Sequence, residues 1–383
     1  MLKNITINNF TTFVNSTDID FCATNYKFLE KENVGSSRIL KGALFVGENA
    51  SGKTQILKTI TFLLDLLFGT NDINFYTYKS FYSTNNKYNL KYDFVIDNID
   101  IIYELEIGIN KIIKETLVYN NKVIINRVDN SATFSYNESK EYSDLADKLP
   151  FLRRIYFDTH FYDDKVLNKW FDFLKNSVYI NCYNRVIHEY NSNNNLNIRE
   201  YLDNIGVKTI NDFFDKIKYN QIIKYDSTTN NGMGKFNVKS TSKFISFKKN
   251  NTDIYIPEIY ESTGNNTLIR LLPPFIHSIK TNCMLIIDEF SSGFHNELEE
   301  CLIKYFFHYS KDSQIFFASH STNILNNTLI RPDQIYAVSF DGKKGTVLKR
   351  FSEEMPREAQ NTEKMYLNGV FDGLPRYNKI FKD

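Results

Sequence analysis

Three stretches of this chain carry residue types that could handle a phosphate chain. The first, Gly47-Glu48-Asn49-Ala50-Ser51-Gly52-Lys53-Thr54, fits the pattern G-x-x-x-x-G-K-[ST] without a mismatch. Glycines at that spacing let the backbone wrap a polyphosphate, and successive N–H groups at the start of a helix favour its negative charge. Lys53 would sit on the β- and γ-phosphates, and the Thr54 hydroxyl would ligate Mg²⁺. Gln55 follows directly and is grouped with the loop. The second stretch, Met284-Leu285-Ile286-Ile287-Asp288-Glu289, is an apolar run ending in two acids. Asp288 would hold Mg²⁺, and Glu289 would orient and deprotonate an attacking water as general base. A strand meeting an ordinary surface turn gives the same pattern. The third, Ile315-Phe316-Phe317-Ala318-Ser319-His320-Ser321, closes an apolar run with His320. Its neutral imidazole could reach a γ-phosphate or the attacking water, or be satisfied by backbone alone.

A fourth stretch is a weaker signal. Glu261-Ser262-Thr263-Gly264-Asn265-Asn266-Thr267 precedes a predicted helix, Leu268–Leu272, which Pro273-Pro274 is expected to interrupt. Ser262 and Gly264 at a helix start form a second surface suited to phosphate. They equally fit a plain N-cap.

The elements around these residues must hold them together. Ala43-Leu44-Phe45-Val46 is a strand-length apolar run, and Ile56, Leu57, Ile60, Leu63, Leu64 and Leu67 recur at helical spacing after the loop. Strand, glycine loop and helix in that order are what the first stretch requires. His320 lies one helix and one strand beyond Asp288, which predicts adjacent strands of one sheet. Residues 2–21 read as two strands around a turn. From Tyr88 to Tyr136 the apolar period is two between Asn, Asp and Gly turns, which predicts an antiparallel meander. Residues 144–223 return to helical spacing, with Leu145/Leu149, Val166/Trp170/Phe173/Leu174 and Ile210/Phe213/Phe214/Ile217. No heptad persists, which argues against a long coiled coil. Asp226–Gly234 reads as a loop and boundary, with strands resuming at Phe236–Phe247 and Ile254–Ile256. The expected division is a discontinuous core of 1–87 and 235–383, a meander of 88–143, and a helical insertion with its loop, 144–234.

The 383 residues are 42% hydrophobic and 24% charged, which is globular composition with room for a sizeable core. The net charge of +1 sets up no global basic field for nucleic acid. Cys22, Cys182, Cys283 and Cys301 show neither a disulfide framework nor zinc spacing. The N-terminus lacks a signal-peptide core, and no apolar run approaches a membrane span. The expectation is a cytoplasmic protein with no membrane partner.

The order of these motifs resembles ABC-class ATPases, including the SMC-like, RecF-like and OLD-nuclease branches. Leu44–Thr54 and Ile5–Phe13 are similar to that class. Arg331-Pro332-Asp333-Gln334-Ile335-Tyr336 and Tyr366-Leu367-Asn368-Gly369-Val370-Phe371-Asp372-Gly373-Leu374-Pro375 resemble the ending of bacterial OLD-like AAA-family ATPases, many of which serve in phage defence. The likeness covers roughly 1–70 and 250–383. It implies an α/β fold, an ABC-type P-loop ATPase head with an antiparallel β lobe and a helical insertion. It further implies ATP and Mg²⁺, slow hydrolysis gated by assembly, and a homodimer or higher homo-oligomer with nucleotides sandwiched between heads. Ser262 and Gly264 would then act on the nucleotide of the other subunit. His320 would be the switch histidine, and Ser291–Asn296, containing His295, the dimer-facing loop. A separate nuclease or toxin effector would be the partner.

Three departures stand out. Thr11-Thr12 replaces the basic residue often found after the first Asn-Phe. None of Gln55, Gln221, Gln314, Gln334 or Gln360 sits where a Q-loop glutamine is expected. The chain stops just beyond Pro375, where the OLD nucleases would continue into a Toprim nuclease domain, so none is expected here. Rival readings stay open. One is a DNA-repair or chromosome-maintenance ATPase binding DNA directly, helped by Lys343-Lys344 and Lys349-Arg350. Another is a nuclease or toxin centred on Asp158, His160, Asp163 and Asp164. A transporter head fits poorly with the long stretch between Thr54 and Asp288.

Overall fold

The computed structural model describes residues 1–228, 239–292 and 295–374. The chain opens with β1 (Leu2–Asn8), β2 (Thr17–Asp20) and a short α1 (Glu30–Asn33), then β3 (Gly42–Gly47), the P-loop and α2 (Lys53–Phe68). Next come β4 (Lys87–Ile96), β5 (Ile99–Gly108), β6 (Ile112–Tyr119), β7 (Lys122–Val128), β8 (Ser131–Ser135) and β9 (Ser139–Tyr142). After them lie α3 (Phe151–Thr159), α4 (Lys165–Lys175), β10 (Val178–Asn181), β11 (Val186–Glu189), α5 (Ile198–Ile205) and α6 (Lys208–Lys216). A small sheet of β12 (Gln221–Thr228), β13 (Lys239–Lys249) and β14 (Ile256–Pro257) precedes α7 (Thr263–Thr281). The last part runs β15 (Met284–Asp288), α8 (Asn296–Tyr309), β16 (Gln314–Ala318), β17 (Ile335–Asp341), β18 (Gly345–Arg350) and α9 (Thr362–Leu367).

Two large sheets result. One is antiparallel, in the order β2-β1-β4-β5-β6-β7-β8-β9. The other is mixed, in the order β11-β10-β15-β16-β3-β17-β18, with β10, β15, β16, β3 and β17 parallel. A parallel sheet must be covered on both faces, and its strands alternate between two cores. Ala43, Phe45, Met284, Ile286 and Phe316 face the meander, α2, α3 and α4. Leu44, Val46, Leu285, Ile287 and Phe317 face α5 to α8. The mixed α/β architecture with an antiparallel lobe agrees with the sequence expectation.

Three local readings need correction. Leu145–Leu149 is not helical: Leu149 precedes Pro150, a position that disfavours α geometry, and α3 starts only at Phe151. The segment expected to be helical also supplies β10, which pairs with β15 in the nucleotide sheet. Its Val178-Tyr179-Ile180 run is too short for periodicity to separate strand from helix. Finally, α7 runs continuously through Pro273 and Pro274. An interior proline costs about 3 kcal/mol. Here Leu268, Leu271, Leu272 and Phe275 are buried around the pair, and each contributes about 1.5–3 kcal/mol. Burial therefore outweighs the lost backbone bonds. Residues 229–234 of the expected loop and 236–238 of the expected strand lie outside the described residues, as do Gly293, Phe294 and Pro375.

The Arg331–Tyr336 motif proves to be a fastener. Arg331 is fully buried, pairs with Asp333 at 2.7 Å, and donates to the carbonyls of Tyr26 and Phe28 at 3.0 and 3.3 Å. Gln334 donates to the Gly42 carbonyl at 3.2 Å and accepts from Asn33 at 2.7 Å. These bonds tie the strand-poor segment 24–33 to the root of β3. No described helix is long and apolar enough to cross a membrane.

Candidate nucleotide site

The site grows from the carboxyl ends of three neighbouring parallel strands, β3, β16 and β15. At the end of β3 the loop turns sharply. Ala50 and Gly52 are left-handed, with φ of 63° and 110°. A Cβ on Gly52 would lie 2.2 Å from the Thr346 hydroxyl, and one on Gly47 would lie 2.2 Å from the Val338 carbonyl. Both glycines are thus fixed by close approach. Thr346 donates to the Ser51 carbonyl at 3.1 Å and shares a 2.6 Å bond with Thr12. Where a basic residue was expected, Thr12 therefore braces the loop from below. Gln55 and Thr12 line the mouth of a cleft of about 940 Å³ along the side of α2, bordered also by Asp65 and His188.

Lys53 is 7% exposed and donates to the Gly47 and Glu48 carbonyls at 2.9 and 2.8 Å. Burial pulls its pKa down, while Glu289, Asp288 and Glu48 pull it back up. Thr54 donates to Asp288 Oδ1 at 3.2 Å. Asp288 is buried at the tip of β15, and that burial raises its pKa. The next residue, Glu289, has a φ of 55° and donates its N–H to Asp288 Oδ1 at 3.1 Å. A non-glycine residue in that region costs roughly 1–3 kcal/mol, which the surrounding contacts must hold in place. Glu289 Oε1 stands 3.8 Å from His320 Nε2. Burial lowers the His320 pKa, and the Lys53 charge lowers it further, against the pull of Glu289 and Asp288. Both lowering effects favour the neutral ring that the expected role requires.

The structure brings Gly47–Thr54, Asp288, Glu289 and His320 together. Ser262 and Gly264 stand apart from them. Ser262 N-caps α7, accepting from the Asn265 N–H at 3.2 Å, and remains exposed. Its neighbours bond to Tyr219, Gln221 and Glu258, and among the described residues none of these bonds reaches the P-loop. A two-residue turn joins α7 to β15, against which it packs, so its N-terminus returns to the edge of the sheet that carries Asp288. His295 N-caps α8 through Nδ1, 3.4 Å from the Glu297 N–H.

Two positions that touch the site were missed in the sequence. Asn181, at the end of β10, donates to Asp288 Oδ2 at 3.5 Å. It lies on the strand paired beside β15, opposite Asp288 itself. Glu299 of α8 is buried and accepts from Ser319 at 2.8 Å, which pins the loop carrying His320. The residues behind the rival readings have local partners. Asp164 N-caps α4 through Val166 and Leu167, Asp158 pairs with Arg154, and His160 ends α3. Among the described residues no group of three or more His, Cys, Asp or Glu is placed to hold a metal. Lys349 pairs with Glu354 at 2.7 Å, and Arg350 donates to the Asp333 and Cys22 carbonyls.

A loop that only glycine can close, a lysine and threonine at its helix, and an Asp-Glu tip beside a histidine tip define an ABC-class nucleoside triphosphatase head. The SMC head bound to the C-terminal winged-helix domain of ScpA shares the fold, with TM-score 0.50 and 13% identity over 92% of this chain and 99% of that chain. The SMC head of Thermotoga maritima aligns with TM-score 0.47 and 14% identity over 90% of this chain and 98% of that chain. The chain belongs to the family described as "AAA domain, putative AbiEii toxin, Type IV TA system", whose match spans residues 43–326. No curated protein matches the sequence.

Proposed function

We propose that this ABC/SMC-like AAA-type ATPase binds ATP with Mg²⁺ and hydrolyses it slowly, as a homodimer or higher homo-oligomer in which each copy completes the other's site. The carrying observation is the split between the two phosphate-suited surfaces. Lys53, Thr54, Asp288, Glu289 and His320 converge, while Ser262 and Gly264 head an exposed helix start without touching them. The cradle fits its ligand. Ser51 Oγ is buried without a hydrogen-bond partner, and the Lys53 hydrogen bonds go to loop carbonyls, with the Glu289, Asp288 and Glu48 carboxylates nearby. Thr54 and Asp288 would hold Mg²⁺, which typically takes one or two protein oxygens and completes its shell from phosphates and water. Bound there, the ion supplies charge neutralisation at the phosphate oxygens.

The rest falls to side chains. Lys53 and the loop N–H groups hold the phosphates. Glu289, held by its left-handed backbone, takes the proton of the attacking water, and neutral His320 donates from Nε2 towards the γ-phosphate. Ser262 and Gly264 of a second copy would close the open side. Glu289→Gln should keep ATP binding, lose hydrolysis by about 10²–10⁴-fold, and accumulate a closed dimer by light scattering with ATP. Hydrolysis at the parent's rate would remove Glu289 from its role.

The biological role we infer is that of a cytoplasmic sensor or scaffold in antiviral defence, acting with a separate effector. The toxin–antitoxin wording of the family description supports this setting over chromosome maintenance. So does the internal engagement of Lys349 and Arg350, which removes two of the four cations a DNA surface would use. Copurification from the native operon, with phage plating of the Lys53→Ala strain, tests it. A chain that purifies alone and leaves infection unchanged would count against it.

A further inference from the structure

The C-terminal segment resembled a family motif, yet the site just described makes no use of it. It is fastened at both ends to the parts of the site that must stay aligned. At one end, Thr362 donates to the Leu325 carbonyl, and the Asn327 amide donates to the Glu358 and Gln360 carbonyls at 3.0 and 2.7 Å. Thr322, two residues beyond His320, donates to Glu363 Oε1 at 2.8 Å. At the other end, the Gly373 carbonyl accepts two bonds of 3.1 Å, from the Glu48 N–H of the P-loop and from the Tyr366 hydroxyl. Between the ends, Phe371 is fully buried and stacks on Phe351, with ring centroids 3.7 Å apart at 9°. A small cavity of about 250 Å³ separates the two attachments. Gly47, Glu48 and Asn49 line one side of it, Ser319 and His320 another, and Tyr366 and Leu374 the side of the tail.

We propose that Thr362–Leu374 is a hook that sets the distance between the His320 loop and the P-loop, with Glu363 and Tyr366 as positioning residues for hydrolysis. This rests on the ATPase reading above. Neither side chain bonds to Lys53, Thr54 or Asp288, so neither holds the phosphates. Glu363 acts on His320 through Thr322, and Tyr366 acts on Glu48 through the Gly373 carbonyl. Loosening either bond lets the histidine drift while the cradle keeps its grip. The signature is therefore a loss in turnover with nucleotide affinity preserved.

The test uses the full chain with Mg-ATP and a fluorescent ATP analogue. Glu363→Ala should lower kcat about tenfold and Tyr366→Phe about threefold, with the dissociation constant of the analogue changed less than twofold. Glu363→Gln keeps a carbonyl for Thr322 and should recover most of the turnover, which a merely structural role would not single out. Equal losses in kcat and affinity, or parent-like kcat in Glu363→Ala, would overturn the proposal. Hydrogen exchange provides a reading that needs no turnover: ATP should slow exchange over 362–374 in the parent and less so in Tyr366→Phe. If ATP binds and exchange there does not change, the hook fails while the ATPase reading stands. If Lys53→Ala and the parent bind the analogue equally weakly, the ATPase reading fails first and the hook falls with it.

Discussion

Two carboxylates buried in this molecule, Glu115 and Asp288, differ in how fully their neighbours answer them. Glu115, on β6 of the meander, accepts from the Tyr103 hydroxyl at 2.9 Å and from the Phe151 and Leu152 N–H groups at 2.7 and 2.8 Å. Arg127 Nη1 stands 3.7 Å away, and its three guanidinium nitrogens donate to the carbonyls of Asp129, Leu149 and Ala146. Asp288 has longer bonds, 3.2 Å from Thr54, 3.1 Å from the Glu289 N–H and 3.5 Å from Asn181. Burial raises the pKa of both; Glu115 is offset by two backbone donors at 2.7 and 2.8 Å, Asp288 by one at 3.1 Å and the Thr54 hydroxyl. A saturated buried carboxylate is a rivet, joining the meander to the start of α3. An under-answered one keeps coordination capacity for something that is not protein. The same contrast separates Arg331, whose guanidinium is paired at 2.7 Å with the Asp333 carboxylate, from Lys53, whose hydrogen bonds go to two carbonyls.

The largest expected effect breaks the rivet. Glu115→Ala leaves the Arg127 charge buried without its partner and two N–H groups unmet, which should cost about 3–5 kcal/mol in urea unfolding. Asp288→Asn removes a carboxylate that burial disfavours, and its unfolding free energy should stay within about 1 kcal/mol of the parent. Its Mg-dependent hydrolysis should nonetheless be lost. If Asp288→Asn unfolds as easily as Glu115→Ala, the distinction between the two acids is wrong.

A smaller effect probes the loop between the two regions. Gly52→Ala must hold φ near 110° and push its Cβ against the Thr346 hydroxyl. We expect a loss of about 1–3 kcal/mol in stability, with weakened nucleotide binding. Thr346→Ala in the same background removes the nearer clash and should return part of the stability but not the backbone strain. A parent-like melting curve for the single variant would show that the loop relaxes freely, and that its tightness is not a property of the folded state.

Much of this was legible in the chain because the site motifs are local. The P-loop, the Asp288-Glu289 tip and the His320 tip each need only a few consecutive residues, and strand pairing then follows from order along the chain. The meander was legible from its period of two. What was hidden depends on distant partners. Asn181 gains meaning only because β10 pairs with β15, and Val178–Asn181 is too short to announce a strand among helices. Glu299 looks like one more acid on a charged helix face until the fold buries it beneath Ser319. The prolines of α7 read as a break because local preference was weighed without the core that surrounds them. Thr12 read as a missing cation, whereas its hydroxyl supports the loop through Thr346.

The smallest effect sharpens the comparison from inside the open site. His320 has its pKa lowered by burial and then by Lys53, and raised in part by Glu289 and Asp288. If hydrolysis needs the neutral ring, its rate is full above the folded pKa and falls as pH drops through it, so the acid limb lies below the usual 6.5. Folding stability changes in the same direction. The unfolded chain takes up the proton first, so stability declines as pH falls from 6.5 through the folded value. Two substitutions should move the imidazole oppositely in a proton–carbon NMR titration without nucleotide. Glu289→Gln removes a negative neighbour and lowers the His320 pKa further. Lys53→Ala removes a positive one and raises it. A saturated structural cluster would absorb either change through its remaining partners, so shifts of the same sign, or none, would mean that His320 does not share an electrostatic site with the P-loop lysine and the Glu289 tip.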